Sequence, residues 1–277
     1  MIADKFEYAT PRSVQEASEL LAENPTSSTI LAGGTWVVPE MSQHLRRPST
    51  VIDLRAARLD RVAAEDGAIV IGATATYTAV SGSDDAPAVL RQLADGVTGG
   101  AQIRNQGTLG GSACYANPAS DVPGALVALG ATMRLRTADG SRDAAASEFF
   151  VDAFTTQMRP GEVLEAIAID PDVASRPAAH LKLKVAEGSW PIVTATCTAD
   201  KDGTISSVVL GGAASTPVVV PVSNGVSGEE LADSARDLVV EPWADVLATA
   251  NYRRHVAGVM AVRAVENVRA LAVGDVA

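Results

Sequence analysis

Residues 99–131 read GGAQIRNQGTLGGSACYANPASDVPGALVALGA, and the rest of the chain is organised around this stretch. Five of its residues are glycines within a short span: Gly99, Gly100, Gly107, Gly110 and Gly111. Glycine is used at this density where the backbone needs a positive φ or must approach another group closely. Ser120, Asp121 and Pro123 then precede an apolar run that ends at Gly130, which predicts an N-cap and a helix. A glycine-rich loop beside a helix start presents free N–H groups, which is typical of a site for an anion such as a phosphate.

A second glycine turn lies upstream, where residues 29–35 read TILAGGT. The β-prone residues lead into Gly33 and Gly34, and Thr35 can cap the structure that follows. Two such turns are suited to hold the two phosphates of one dinucleotide. The chain contains neither GxxxxGK[ST] nor GxGxxG, so the P-loop and Rossmann interpretations are excluded.

The motifs AGGT at 32–35, IRNxGTxGG at 103–111 and NPASD at 117–121 resemble those of a known family. This family is the FAD-binding medium subunit of the molybdenum hydroxylases, which includes the flavoproteins of xanthine dehydrogenase and carbon monoxide dehydrogenase. The resemblance extends over essentially the whole chain, including YRRH at 252–255. It implies that FAD is the cofactor. It also implies that residues 33–35 contact the FAD pyrophosphate from one side, and Thr108 with residues 110–112 from the other.

The resemblance implies one set of FAD-binding residues: Ala32, Gly33, Gly34, Thr35, Trp36, Ile103, Arg104, Asn105, Thr108, Gly110, Gly111, Ser112, Asp121, Leu164, Lys184 and Trp190. Three of these are charged and have alternative roles. Asp121 matches a family acid that contacts FAD through ribityl or ribose hydroxyls, but it is also a candidate helix N-cap. Arg104 lies at the mouth of the glycine loop or is a surface charge. Lys184 resembles a family lysine near the flavin ring, where it would stabilise negative charge, or it is an exposed strand lysine.

Among the apolar members of the set, Leu164 and Trp190 are expected to contact the flavin ring. Leu164 matches a family position that lines the ring. Trp190 stands where the family often has tyrosine, and an aromatic side chain there can lie over one face of the flavin. Trp36 follows AGGT where the family more often has a small polar or acidic residue, and its alternative role is that of a core aromatic.

Composition excludes several other function classes. The chain has 277 residues, of which 47% are hydrophobic, and a formal net charge of −11, which argues against nucleic acid as a partner. No apolar run approaches the ~20 residues of a membrane span, and the N-terminus lacks the apolar region of a signal peptide, so a cytoplasmic protein is expected. Two cysteines and three scattered histidines predict no metal site and no iron–sulfur cluster on this chain. No catalytic triad or paired carboxylates are recognisable, so no catalytic side chain is predicted.

The periodicity of the chain predicts an α+β protein with two N-terminal lobes and a C-terminal domain, and the resemblance implies that the two lobes form the FAD-binding region. Residues 1–55 would form a small N-terminal βαβ lobe, which opens with a capping box at Ser13. Residues 56–175 would form a mixed α/β middle lobe. Residues 176–277 would form a domain with a three-stranded antiparallel sheet and two closing helices, and the proline-flanked residues 217–221 could at most add an edge strand.

The resemblance implies an electron-transfer function. Substrate would be oxidised at a molybdenum centre on a large subunit, and electrons would pass through [2Fe–2S] clusters on a small subunit to FAD on this chain and then to an external acceptor. The complex would be a dimer of heterotrimers. Two alternatives are a stand-alone FAD-dependent oxidoreductase, which should show a base or substrate-binding arginines near the ring, and a non-catalytic scaffold subunit, which the intact glycine loops disfavour.

Overall fold

The computed structural model describes residue 2 and residues 4–273. Met1, Ala3 and residues 274–277 lie outside the described residues. The N-terminal segment in which no signal peptide is predicted is therefore described only in part.

The N-terminal part is a parallel three-stranded sheet with two helices. Its elements are β1 (Glu7–Ala9), α1 (Val14–Glu23), β2 (Ser28–Leu31), α2 (Val37–Ser42) and β3 (Thr50–Asp53). The strand order is β1-β3-β2, and both pairs are parallel. The Ser13 hydroxyl caps α1 by accepting from the Glu16 N–H at 3.1 Å, as predicted. The Glu16 carboxylate, however, accepts from the Arg12 N–H at 2.7 Å instead of closing the box on Ser13.

The middle part is built on an antiparallel five-stranded sheet. Its elements are β4 (Val62–Glu65), β5 (Ala68–Gly72), α3 (Tyr77–Ser81), α4 (Ala88–Asp95), α5 (Gly100–Gln106), α6 (Leu109–Tyr115), α7 (Asp121–Ala128), β6 (Thr132–Thr137), β7 (Gly140–Ala145), α8 (Ala146–Phe149), β8 (Phe150–Asp152), β9 (Thr155–Thr156), β10 (Val163–Ile169) and α9 (Pro171–Ala174). The sheet order is β4-β5-β10-β6-β7, and β8 pairs separately with β9. Ile71, Leu90, Leu126 and Leu135 are fully buried in the core between the sheet and the helices.

The glycine-rich stretch is not the loop that the sequence predicts, because it contains α5 and α6. The two helices are separate because Gly107 is extended, with φ −62° and ψ 139°, and Thr108 restarts a helix as the N-cap of α6. Helix α7 then begins as predicted, with Ser120 as its N-cap and Asp121 as its first residue.

The C-terminal part carries an antiparallel sheet covered by two helices. Its elements are β11 (Ala178–Lys184), β12 (Pro191–Thr198), β13 (Ser207–Gly211), β14 (Val218–Pro221), α10 (Gly228–Leu238) and α11 (Ala250–Val273). The α+β class is confirmed, but the sheet has four strands in the order β11-β12-β13-β14 instead of the predicted three. The additional strand β14 pairs with β13 alone, which is the edge position that the flanking prolines permit.

Each of the three larger sheets lies within one of the three predicted domain ranges. The hydrophobic clusters do not follow the same limits, because Val163 of β10 packs with Leu21 of α1 and Ile52 of β3 in the N-terminal cluster. Helix α7 of the middle part also packs against β12 and β13. No described helix is both long enough and apolar enough to span a bilayer.

Candidate functional site

A cavity of about 520 Å³ opens where the three parts of the chain meet. Its walls come from the N-terminal part through residues 29, 30 and 32–37, from the middle part through α6 and the start of α7, and from the C-terminal part through Trp190 and Pro191. The two glycine turns predicted from the sequence both face this space. We call residues 32–35 the first glycine turn and residues 108–112 the second glycine turn.

The first glycine turn connects β2 to α2 and leaves its amide groups free. Among the described residues, the N–H groups of Gly33, Gly34 and Thr35 have no hydrogen-bond acceptor. Gly34 has φ +70°, a conformation that side-chain-bearing residues rarely adopt. A Cβ at Gly33 would lie 1.8 Å from the carbonyl oxygen of Gln106, so this turn packs directly on the end of α5. The turn therefore presents several N–H groups from a backbone that only glycine can build.

The second glycine turn is the first turn of α6. The Thr108 hydroxyl accepts from the Gly111 N–H at 2.9 Å and caps this helix. A Cβ at Gly110 would lie 2.5 Å from the carbonyl oxygen of Ala73, so α6 rests directly on the backbone that follows β5. The Ser112 hydroxyl bonds the Tyr77 hydroxyl, and burial raises the pKa of Tyr77, which stays protonated at neutral pH. This side of the cavity combines a capped helix start with neutral hydroxyl groups.

Asp121 provides a buried carboxylate at the start of α7, and its side chain also lines the cavity. It does not cap the helix, since Ser120 does. Its carboxylate accepts from His180 Nε2 at 3.1 Å and pairs with Lys182 Nζ at 3.1 Å. Burial acts to raise the pKa of Asp121, but the His180 hydrogen bond and the charge of Lys182 outweigh it and hold that pKa below its ordinary value. The cavity therefore contains an ionised acceptor at neutral pH.

Aromatic side chains form the rim of the cavity. Trp36 contacts Tyr115 edge to face, with ring centroids 4.8 Å apart, and Trp190 edge to face at 6.1 Å. Trp36 is 38% exposed and Trp190 is 40% exposed, so the interpretation of Trp36 as a core aromatic is wrong. Both indole rings are available to a flat ligand at the rim, where aromatic surfaces favour stacking.

The opposite wall holds groups that are fixed by their neighbours. Glu162 is buried and pairs with Arg142 at 2.6 Å, and it also accepts from the Arg159 N–H at 2.7 Å. Burial acts to raise its pKa, but these hydrogen bonds dominate and hold the pKa below its ordinary value. Burial raises the pKa of the Cys114 thiol to about 12, so this cysteine is protonated and is not a nucleophile at neutral pH.

Most of the predicted FAD-binding residues come together around the cavity. Those that line it are Ala32, Gly33, Gly34, Thr35, Trp36, Ile103, Thr108, Gly110, Gly111, Ser112, Asp121, Leu164 and Trp190. Arg104, Asn105 and Lys184 do not line it. The Asn105 side chain accepts instead from the Thr78 hydroxyl at 2.7 Å, and Lys184 Nζ bonds the Thr98 hydroxyl at 3.1 Å. Lys184 therefore acts on a residue of the cavity wall and not on the cavity itself.

Sequence reasoning missed the cavity residues Tyr77, Tyr115 and Glu162, and it also missed His180 and Lys182, which are the partners of Asp121. His180 and Lys182 alternate with Leu181 and Leu183 along β11, which puts the basic side chains on the face opposite the leucines. That alternation was the available signal, but nothing local indicates that this face meets Asp121. Among the described residues, no three His, Cys, Asp or Glu side chains are grouped so that they could hold a metal ion.

The chemical groups around the cavity fit the parts of an FAD molecule. It is bordered by two turns that a Cβ would block, by free N–H groups and hydroxyls suited to phosphate oxygens, and by a carboxylate that can accept from sugar hydroxyls. It ends at aromatic rings that can cover a flat heterocycle. These features match the pyrophosphate, the polyol and the isoalloxazine of a flavin dinucleotide, so the residues present fit the cofactor.

Comparisons with known proteins agree with this fit. A family described as the FAD binding domain in molybdopterin dehydrogenase matches residues 4–171. The carbon monoxide dehydrogenase medium chain of Afipia carboxidovorans is 32% identical over 286 residues, which cover 98% of this chain and 99% of that protein. The glyceraldehyde dehydrogenase medium chain of Sulfolobus acidocaldarius is 29% identical, with 97% of this chain and 100% of that protein covered.

Solved structures give the same result for the fold. A chain of the reconstituted CO dehydrogenase from Oligotropha carboxidovorans superposes with a TM-score of 0.90 at 31% identity. The match covers 98% of this chain and 99% of that chain, so it includes the C-terminal part as well as residues 4–171. The chain therefore belongs to the FAD-binding domain family of the molybdopterin dehydrogenases, and it is an FAD-binding subunit of an oxidoreductase of this class.

Proposed function

We propose that the cavity between the two glycine turns holds the FAD, with the pyrophosphate between the turns. The observation that carries this proposal is that the free N–H groups of Gly33, Gly34 and Thr35 face the same cavity as Gly110 and Gly111. Backbone N–H groups next to a helix start attract phosphate oxygens through hydrogen bonds and through the partial positive charge of the helix. Thr35 and Ser112 add hydroxyl donors on the two sides.

We propose that the ribityl and ring portions lie toward Asp121, Leu164 and Trp190. Asp121 is ionised and accepts hydrogen bonds, so it can orient flavin hydroxyls. Leu164 is 3% exposed and offers an apolar wall. Trp190 is half exposed at the rim and can cover one face of the ring. Arg104 and Asn105, which the resemblance also implies, are proposed to act on the loop that carries the second turn, since neither lines the cavity.

We further propose that the chain works as an electron-transfer subunit between iron–sulfur clusters and an external acceptor. When bound, FAD supplies a redox group that exchanges one or two electrons, while this chain binds and orients it. Both relatives named above are medium chains, a name that implies a larger and a smaller partner. These names support assembly with a small and a large subunit. The family resemblance adds that the small subunit would carry [2Fe–2S] clusters, that the large subunit would carry molybdenum, and that the complex would be a dimer of heterotrimers. Within this chain, residues 1–55 and 56–175 would hold FAD, and residues 176–277 would close the site.

The identity and role of the cofactor are tested together on the purified chain. Heat release followed by chromatography should yield FAD, since a second glycine turn is superfluous for a mononucleotide; FMN as the main species would contradict the two-turn assignment. The isolated chain should bleach with dithionite but not with a purine, an N-heterocycle, an aldehyde or carbon monoxide. Co-expression with a small and a large subunit should add iron, molybdenum and reduction by substrate.

The two alternatives give different results in the same experiment. Bleaching of the isolated chain by one of these substrates would favour a stand-alone oxidoreductase. A colourless chain that rebinds no FAD would favour a scaffold subunit.

A further inference from the structure

Strand β11 carries a row of three basic residues that reaches from the C-terminal part to the cavity wall. His180, Lys182 and Lys184 are alternate residues and therefore share one face of the strand. Lys182 Nζ donates to the Gly96 carbonyl at 2.7 Å and pairs with Asp121 Oδ2 at 3.1 Å. Lys184 Nζ bonds the Thr98 hydroxyl at 3.1 Å. The row thus contacts the two middle-lobe segments, around Gly96 and Asp121, that border the cavity from this side.

The Asp121 carboxylate depends on this row for its charge. Its side chain is 8% exposed, so water cannot replace the contacts it makes with the protein. Since an ionised carboxylate only accepts, His180 Nε2 donates to Asp121 Oδ1, and His180 Nδ1 forms a hydrogen bond with the Thr196 hydroxyl at 2.8 Å. Thr196 thereby fixes the imidazole ring. Tyr77, from α3, also faces Asp121, and its hydroxyl is neutral.

Lys182 is placed where two electronegative groups converge. The Gly96 carbonyl is at the C-terminal end of α4, and Asp121 is at the N-terminal start of α7. A Cβ at Gly96 would lie 3.1 Å from Lys182 Nζ, so the ammonium group lies directly against this glycine, and the Lys182 side chain is 18% exposed. An ammonium at this point compensates the partial negative charge at the C-terminal end of α4 and the carboxylate of Asp121 in α7. A hydrophobic side chain of the same length would leave Asp121 with one partner in place of two.

We propose that Lys182, assisted by His180, is a positioning residue for the cofactor: it holds the Asp121 carboxylate in its orientation toward the cavity, so that the C-terminal sheet sets the affinity for FAD. The proposal rests on the proposed placement of FAD in this cavity. Each carboxylate oxygen has about two acceptor positions. Oδ1 is used by His180 and Lys182, and Oδ2 by Lys182 alone, which leaves acceptor capacity on Oδ2 for a flavin hydroxyl.

The test is FAD affinity of the full chain after removal and re-addition of FAD. Lys182→Met keeps the length of the side chain and removes the charge, and it should weaken FAD binding about tenfold, the scale of one charge-assisted hydrogen bond. The matched control is Lys201→Met. Lys201 forms a comparable ion pair with Asp172 at 2.7 Å, but both side chains are more than half exposed and neither residue lines the cavity. This control should bind FAD like the wild type.

A double-mutant cycle separates positioning from general destabilisation. Asp121→Asn should weaken FAD binding by itself, and adding Lys182→Met to it should cost little more if Lys182 acts through Asp121. Additive losses would overturn the proposal, and so would unchanged affinity in Lys182→Met. The thermal midpoint of each FAD-free variant shows whether its fold is retained. His180→Gln can still donate a hydrogen bond to Asp121, so it should bind FAD more tightly than His180→Leu.

The pH profile of FAD binding gives a readout that a merely structural role would not move. Asp121 loses its charge as the pH falls through its pKa, which the wild type holds below the ordinary value of 3.8. Lys182→Met removes one of the groups that lower this pKa and leaves the opposing effect of burial, so the pKa should be higher than in the wild type. The acid-side loss of FAD affinity should therefore begin at a higher pH than in the wild type or in Lys201→Met. A wild-type chain that binds no FAD would refute the proposed function. If the wild type and Lys182→Met both bind FAD and lose affinity over the same acid pH range, only the present inference is refuted.

Discussion

The two glycine turns look alike in sequence but use glycine for different physical reasons. In the first turn, Gly34 supplies a positive φ and Gly33 allows the turn to touch the carbonyl of Gln106. In the second turn no glycine has a positive φ, and Gly110 lets a helix rest on the backbone of Ala73. One turn therefore owes its shape to backbone conformation and loop-to-loop contact, and the other to helix packing. The comparison teaches that a glycine pair indicates close approach, but not whether the approaching group is a ligand or the protein itself.

Gly33→Ala is expected to have the largest effect. The new Cβ would lie 1.8 Å from the Gln106 carbonyl oxygen and 3.0 Å from Gly107 Cα, both backbone atoms that cannot rotate away. The first turn would have to move from the end of α5, and FAD affinity should fall about a hundredfold, in line with the ~1–3 kcal/mol of overpacking. Titration of the FAD-free chain with FAD measures this. Gly140→Ala is the control, because a Cβ there meets nothing within 4 Å and φ is not positive.

Gly110→Ala tests the second turn in the same way and should cost somewhat less. Its Cβ would approach the Ala73 carbonyl oxygen to 2.5 Å and Ala73 Cα to 2.7 Å, but a short helix can shift as a unit. We expect FAD affinity to fall about thirtyfold. For a given loss of affinity, the thermal midpoint should fall further in Gly110→Ala than in Gly33→Ala, because helix packing is also disturbed. Equal losses of affinity and stability in both variants would remove the distinction between the two turns.

Gly34→Ala isolates backbone conformation from close approach. The nearest atoms to a Cβ there are Leu31 Cδ1 at 3.1 Å and Val38 Cγ2 at 3.3 Å, which belong to flexible side chains. The main cost is the φ of +70°, which is about 1–2 kcal/mol for a residue with a Cβ, so FAD affinity should fall about tenfold. Gly34→Asn should bind more tightly than Gly34→Ala, since asparagine tolerates this conformation better. The opposite order of affinity would mean that side-chain contact, not φ, sets the requirement for glycine.

The same comparison shows what the sequence could and could not predict. Some strands and helices followed from local signals, such as the Ser13 and Ser120 caps and the alternation along β6 and β11, whereas α2, β4, β7, β8 and β9 were not predicted. The helices α5 and α6 did not follow from local signals either, because their glycines weaken any helical pattern and their support comes from residues distant in sequence, such as Ala73 and Tyr77.

The candidate site divides in the same way. Motif residues of the two turns line the same cavity. The partners of Asp121 did not follow from any motif, because His180 and Lys182 are 59 and 61 positions away and meet it only when α7 packs on the C-terminal sheet. Lys184 was placed near the ring by resemblance, but the strand face that it shares with Lys182 directs it to Thr98. Long-range packing decides such contacts.

A pair of threonine variants gives the smallest expected effects and the clearest separation of the two turns. The Thr35 hydroxyl makes no hydrogen bond to another described residue, whereas the Thr108 hydroxyl accepts from the Gly111 N–H at 2.9 Å and caps α6. Valine has the same shape as threonine and lacks the hydroxyl, so each substitution removes one polar group without opening a cavity. Thr35→Val should therefore leave the thermal midpoint of the FAD-free chain unchanged and weaken FAD binding a fewfold, since it removes only a donor to the phosphate. Thr108→Val should lower the free energy of unfolding by about 1 kcal/mol through loss of the cap. A loss of stability in Thr35→Val together with an unaltered Thr108→Val would reverse the roles assigned to the two turns, with the first serving the fold and the second serving the cofactor alone.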